Sequence, residues 1–151
     1  MIPPLFGCSG PAAPPVFWRS VGSHTVRVLV VDHNALMREG LALLVRLHPD
    51  MQLVGAACTA DEALHMFLLE RPDVTLMDLD LPAEAAIGAI RKIRVQDAGA
   101  RIIGLTTFAP DAVWTRASSA GACLCTSKDC LSDSLPRLIR TAAGVPPENR
   151  G

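Results

Sequence analysis

The chain has little net charge and no long apolar run. Its 151 residues carry 14 basic and 15 acidic side chains, a formal net charge of -1. That leaves no broad cationic footprint for nucleic acid or for an anionic membrane surface. No stretch approaches the roughly 20 apolar residues that span a bilayer. The N-terminus lacks the basic segment and apolar core of a secretory leader. These absences lead to the expectation of a cytoplasmic protein. Cysteine is sparse and odd in number: Cys8, Cys58, Cys123, Cys125 and Cys130. Without a regular framework, they read as reduced thiols rather than disulfides. Only 19% of the residues are charged while half are apolar, which excludes a disordered chain and suits one globular domain.

Residues 1–24 stand apart. Pro3, Pro4, Pro11, Pro14 and Pro15 interrupt any apolar period, and the segment reads as a flexible extension on which Phe17 and Trp18 could pack. From Val26 a regular alternation begins. Val26–Val31 is a β-branched run suited to a buried strand. A helix follows with Met37, Leu41, Leu44 and Val45 on one face. Leu53–Ala57 reads as a second strand. Thr59-Ala60-Asp61-Glu62 is a capping box that opens a helix, and Pro72 ends it. Val74–Met77 is a third strand, and 84–95 a helix with Ala86, Ile90 and Ile93 inward. Arg101–Leu105 is a fourth strand, 111–119 a helix ending near Gly121, and Ala122–Thr126 a short fifth strand. A last helix within 132–143 stops at Gly144. Five strands alternating with five helices predict an α/β fold with a parallel sheet and helices on both faces, because parallel strands need crossovers.

Ligands of such sheets bind beyond the carboxyl ends of the strands. Four polar residues occur there: Asp32 after strand one, Asp78 after strand three, Thr106 after strand four and Lys128 after strand five. Singly, each reads as an ordinary turn, strand or solvated residue. Together they suit phosphoryl chemistry, with a carboxylate as nucleophile, a cation-binding acid, and an ammonium and a hydroxyl for the remaining oxygens. A nucleotide-binding enzyme would need a Gly-, Ser- or Thr-rich loop after strand one, and Asp32-His33-Asn34-Ala35 is no such loop.

Val28-Leu29-Val30-Val31-Asp32, Arg38-Glu39-Gly40-Leu41, Arg71-Pro72-Asp73, Met77-Asp78-Leu79-Asp80-Leu81-Pro82, Leu105-Thr106-Thr107-Phe108 and Lys128-Asp129 resemble a response-regulator receiver domain of the NarL/LuxR type. The resemblance covers about residues 26–144. It implies a flavodoxin-like, CheY-like, doubly wound five-stranded sheet of order 2-1-3-4-5 with helices on both faces. It further implies Asp78 as phosphoacceptor, Thr106 as switch hydroxyl and Lys128 as phosphoryl contact. Mg²⁺ would be held by Asp32, Asp78 and the backbone carbonyl of Asp80. A sensor histidine kinase would be the partner, with a homodimer as an added option. The domain itself would be no enzyme, would not bind nucleic acid and would not enter a membrane. Its signal would pass to a transcriptional output domain absent from this chain, residues 145–151 being linker or tail.

Four positions depart from the family pattern. His33 stands where a second acidic residue binds Mg²⁺, which predicts weak metal binding and slow or absent phosphorylation. The other reading of His33 is a helix cap or a water-facing side chain. Ala83-Glu84-Ala85-Ala86 replaces a glycine-containing turn and predicts an earlier or more rigid helix. Cys125 replaces the switch aromatic. Pro136 falls inside the last helix, which predicts a late start capped by Ser132 or Ser134. Cys123 and Cys125 are expected on one strand face as buried thiols, and Trp114 as half-buried packing. The alternative to a phosphoacceptor is a pseudo-receiver, a docking or dimerisation module independent of phosphorylation.

Overall fold

The apolar runs become the strands of one sheet, and the amphipathic segments cover it. The computed structural model describes residues 25–107 and 111–146. In chain order the elements are β1 (Val26–Val31), α1 (Ala35–Arg46), β2 (Met51–Ala57), α2 (Ala60–Glu70), β3 (Val74–Asp78), α3 (Ala83–Gln96), β4 (Ile102–Thr106), α4 (Asp111–Ala120), β5 (Leu124–Ser127) and α5 (Leu131–Ala142). A 3-10 turn, Lys128–Cys130, leads into α5. The sheet order is β2-β1-β3-β4-β5 and every neighbouring pair is parallel, as expected. The expectations for residues 1–24, Phe108 and residues 147–151 lie outside the described residues.

Side chains along a strand point alternately to the two faces. Leu29, Val31, Met77 and Ile102 therefore join Phe67 of α2, Ile87, Ile90 and Ile93 of α3 and Ala117 of α4 in one core. Val28, Val30, Leu76 and Ile103 join Leu41 and Val45 of α1 and Leu135 and Ile139 of α5 in the other. Burying each large side chain contributes roughly 1.5–3 kcal/mol, which is why both faces are roofed. The local signals act as read. Asn34 caps α1 by accepting from the Met37 N–H at 3.0 Å, and Thr59 caps α2 by accepting from the Glu62 N–H at 3.1 Å. Arg71 closes α2 in the left-handed region (φ 46°), just before Pro72. Gly121, at φ 127°, ends α4, and the Arg94 side chain lies where any Cβ would sit.

Two expectations are corrected. First, α5 does not start late. It begins at Leu131, and Ser132 and Ser134 lie inside it with Pro136. The helical path is already launched by the 3-10 turn, whose cap is Ser127, accepting from the Asp129 N–H at 3.2 Å. The row Leu131, Leu135, Ile139 and Ala142 is buried against the sheet, and that burial outweighs the one backbone bond Pro136 cannot make. The unmatched carbonyl belongs to Ser132, an exposed residue within reach of water. Second, β5 starts at Leu124, so Cys123 precedes the strand and is exposed, while Cys125 is half-buried. The two thiols share no buried face. Smaller shifts occur at β2, which begins at Met51, and at β4, which runs to Thr106.

Candidate functional site

Strand register brings the polar residues together. Val31 pairs with Met77, so Asp32 and Asp78 leave neighbouring strands at the same level. Asp78 is level with Leu105, one residue before Thr106, and Thr106 is level with Ser127, one residue before Lys128. Asp32, Asp78 and Thr106 are buried to 1% exposure or less. Lys128 opens the 3-10 turn just past the edge strand, and its stem carries Nζ across to the two aspartates, 2.9 Å from Asp32 Oδ2 and 2.9 Å from Asp78 Oδ1. Asp78 Oδ1 also accepts the Asp80 N–H at 2.8 Å. Asp32 Oδ1 accepts the Asn34 N–H at 2.8 Å, whereas Asp32 Oδ2 has the ion pair with Lys128 and no further hydrogen bond.

His33 neither caps α1 nor simply faces water. Asn34 is the cap, and the His33 ring turns inward although its side chain is 51% exposed. Its Nδ1 lies 2.5 Å from Asp78 Oδ2, with the His33 backbone N–H 3.3 Å from the same oxygen. Both oxygens of Asp78 are thus occupied, one by Lys128 and one by His33.

Burial works to raise the pKa of Asp78. The hydrogen bonds from Lys128, His33 and the Asp80 N–H together outweigh it and hold the carboxyl below its ordinary value. Burial likewise works to lower the Lys128 pKa, and its bonds to Asp78 and Asp32 reverse that, holding the ammonium above its ordinary value. The pocket is therefore a set of ionised groups: Asp78 and Asp80 as carboxylates, Lys128 as a cation.

Asp80 does more than offer a backbone carbonyl. Its carboxylate accepts from Thr106 Oγ1 at 2.8 Å and from the Thr107 N–H at 2.7 Å. Burial opposes ionisation there too, but the Thr107 and Thr106 bonds lower its pKa. One residue thus holds Asp78 through its amide and the end of β4 through its side chain. The sequence signal was an acid two residues past Asp78, at a turn that passes over the neighbouring strand end. Arg38 was likewise missed as a support, donating to the Asp32 carbonyl at 2.9 Å.

The Ala83-Glu84-Ala85-Ala86 segment forms the first turn of α3. The helix starts at Ala83, directly after Pro82, with no side-chain cap. Gly104 of β4 lies level with Met77, and a Cβ there would meet Leu79 Cδ1 at 2.8 Å. Cys125 Sγ lies against the same glycine, and burial pushes its thiol pKa up. Trp114 is half-buried against the core that holds α3. A groove of about 820 Å³ opens over the site between α1 and α3, lined by Leu36, Met37, Leu81, Pro82 and Val113 as well as the polar groups.

A buried carboxylate at the end of the central strand, flanked by an ammonium and a hydroxyl on a β2-β1-β3-β4-β5 sheet, is the arrangement of a phosphoacceptor signalling module. The family model of the response regulator receiver domain matches residues 28–140, and the chain belongs to that family. It is 30% identical to the Transcriptional regulatory protein DesR of Bacillus subtilis over 116 residues, 77% of this chain and 57% of that protein. It is 30% identical to LiaR of the same organism, over 82% of this chain and 58% of that protein. The chain therefore spans a little over half the length of these curated relatives. Among solved structures, the receiver domain of the putative regulator NarL from Mycobacterium tuberculosis is similar with a TM-score of 0.76 and 25% identity, covering 80% of this chain and 98% of that one. A LuxR-family regulator from Aurantimonas sp. gives 0.75 and 32%, covering 80% and 86%. The chain is a receiver domain of the two-component response-regulator type, and regulators of transcription are among its relatives.

Proposed function

We propose that Asp78 accepts a phosphoryl group from a sensor histidine kinase, and that the domain relays its state to a transcriptional output domain outside this chain. The observation that carries this reading is the Lys128 ammonium, 2.9 Å from Asp78 in a fully buried carboxylate pair. An Asp78 oxygen attacks phosphorus as the bond to the donor's histidine nitrogen breaks, and Lys128 offsets charge on the phosphoryl oxygens. Thr106, on the next strand, is the hydroxyl that answers the change, and it must leave Asp80 to do so. The domain turns over no substrate of its own and is read as a non-enzyme. Leu36, Leu43 and Leu47 are exposed along one side of α1, starting at the groove; they offer a surface for a kinase or a second copy. No helix among the described residues is long and apolar enough to cross a membrane, and nothing in the charge favours nucleic acid.

Mg²⁺ is the metal the family implies, and the donor set fits it poorly. Asp32, Asp78 and the Asp80 backbone carbonyl would supply oxygen, but the His33 imidazole stands where a further acidic ligand is usual, and Mg²⁺ prefers an all-oxygen octahedron. Mg²⁺ binding is accordingly proposed to be weak. The same His33–Asp78 bond favours the second reading, a pseudo-receiver that docks or dimerises without phosphorylation.

Intact-mass measurement with acetyl phosphate and Mg²⁺ separates the two. The expected result is one phosphoryl gain, abolished in Asp78→Asn and faster in His33→Asp. Gain in His33→Asp alone would establish the pseudo-receiver. No gain in either protein would overturn the phosphoacceptor reading.

A further inference from the structure

Asp32 and Asp78 each divide their carboxylate between two neighbours. One oxygen of each goes to Lys128: Asp32 Oδ2 and Asp78 Oδ1, both at 2.9 Å. Asp78 Oδ2 is bonded to His33 Nδ1 at 2.5 Å, while Asp32 Oδ1 accepts the Asn34 N–H at 2.8 Å and lies 3.8 Å from the same ring nitrogen. Lys128 therefore leaves one oxygen of each aspartate outside its own ion pairs. Together with the imidazole nitrogen, Asp32, His33 and Asp78 present three donor atoms within 4.8 Å of one another.

Charge shows what this group lacks. Lys128 lies within 3.6 Å of three carboxylates, on Asp32, Asp78 and Asp80, and supplies a single positive charge. The carboxylates outnumber that ammonium, and the Arg38 guanidinium beside them bonds the Asp32 backbone carbonyl rather than a carboxylate. Asp32 and Asp78 are fully buried, so water screens them little. A divalent cation offsets that excess.

The donors show which kind of cation. Magnesium takes oxygen and gives up its water reluctantly. An imidazole with two carboxylates suits zinc, cobalt and nickel. The half-exposed ring leaves a path from solvent and room for water in the remaining coordination positions.

The geometry points to a transition-metal site made by Asp32, His33 Nδ1 and Asp78, in which His33 has changed the metal preference of the pocket from Mg²⁺ to a zinc- or cobalt-class ion. With metal–ligand bonds of about 2.0–2.2 Å, neighbouring donors lie about 3 Å apart. The 2.5 Å contact opens slightly and the 3.8 Å contact closes slightly when the ion replaces the hydrogen between His33 and Asp78. From the proposed function this takes only the location of the pocket. It needs no phosphoryl donor, so its test and the phosphorylation test fail independently.

The experiment is calorimetric titration of the whole chain with Co²⁺ and with Mg²⁺, with the visible spectrum of the cobalt form recorded alongside. Any oxygen-rich site holds Co²⁺ above Mg²⁺ to some degree, so dependence on His33 decides. The expected result is one equivalent of Co²⁺, held more than about tenfold less tightly by His33→Ala, with no sulfur-to-cobalt band. His33→Asp should gain Mg²⁺ affinity and lose Co²⁺ affinity. Equal Co²⁺ binding by wild type and His33→Ala would overturn the proposal. So would a thiolate band from any of the five cysteines, or the absence of any Co²⁺ uptake. Circular dichroism of His33→Ala and of the milder His33→Gln checks that each variant is folded.

Discussion

The two ends of the sheet carry charge in different ways. At the amino end, Arg140 meets Asp50 at 2.7 Å, with side chains 31% and 42% exposed, and Arg27 meets Glu70 and donates to the carbonyls at the end of α2. Those pairs stay wet. At the carboxyl end, Lys128 is 5% exposed and faces three carboxylates, two of them fully buried. Wet pairs tie elements together for a modest gain. Buried, unbalanced charge costs stability, and it persists where the excess is used. The contrast marks the carboxyl end as the candidate site without reference to any relative.

The comparison can be broken most sharply at Lys128. Lys128→Met leaves Asp32 and Asp78 buried without their cation and is expected to cost about 3–5 kcal/mol in urea denaturation. A cost under about 1 kcal/mol would mean that the pocket is wetter than it looks. Asp78→Asn comes next. It removes charge-assisted bonds from Lys128 and His33 but leaves Lys128 with Asp32, so about 1–3 kcal/mol is expected.

Acid should sharpen the contrast. Asp78 and Asp80 are held below their ordinary pKa, so their stabilisation is present above the unfolded value of about 3.9 and is lost as pH falls through the depressed values. The raised Lys128 pKa works oppositely: its contribution is present below the unfolded value and is lost as pH rises through the folded one. Thermal melts from neutral pH into acid should therefore fall more steeply in wild type than in Asp78→Asn. The smallest effect is expected at the amino end. Arg140→Ala should cost about 0.5–1 kcal/mol and lose much of that cost in high salt, as befits an exposed pair. A salt-insensitive cost would show that the Arg140 stem packs rather than pairs.

Much of this was legible in residue order. The β-branched runs, the Thr59–Glu62 cap and the Gly121 stop each act over a few residues, so local chemistry was enough to read them. The shared rim of Asp32, Asp78, Thr106 and Lys128 followed because parallel strands all end on one side. Pro136 was misread because its local penalty is smaller than the burial of Leu135 and Ile139, and burial is not a local quantity. Cys123 was misplaced because β5 starts at Leu124, which leaves Cys123 in the connection before the strand, exposed.

Residue order alone dictated the alternation of strands and helices, the two-faced core and the acid that ends β3. Periodicity and chain connectivity suffice for those. Only the folded chain decided that His33 turns onto Asp78, that Lys128 reaches one oxygen each of Asp32 and Asp78, and that Asp80 holds Thr106. Those contacts join residues 26 to 96 positions apart, and differences of about an ångström decide them. At that scale the packing of neighbouring strands sets the geometry, and the identity of a single residue does not.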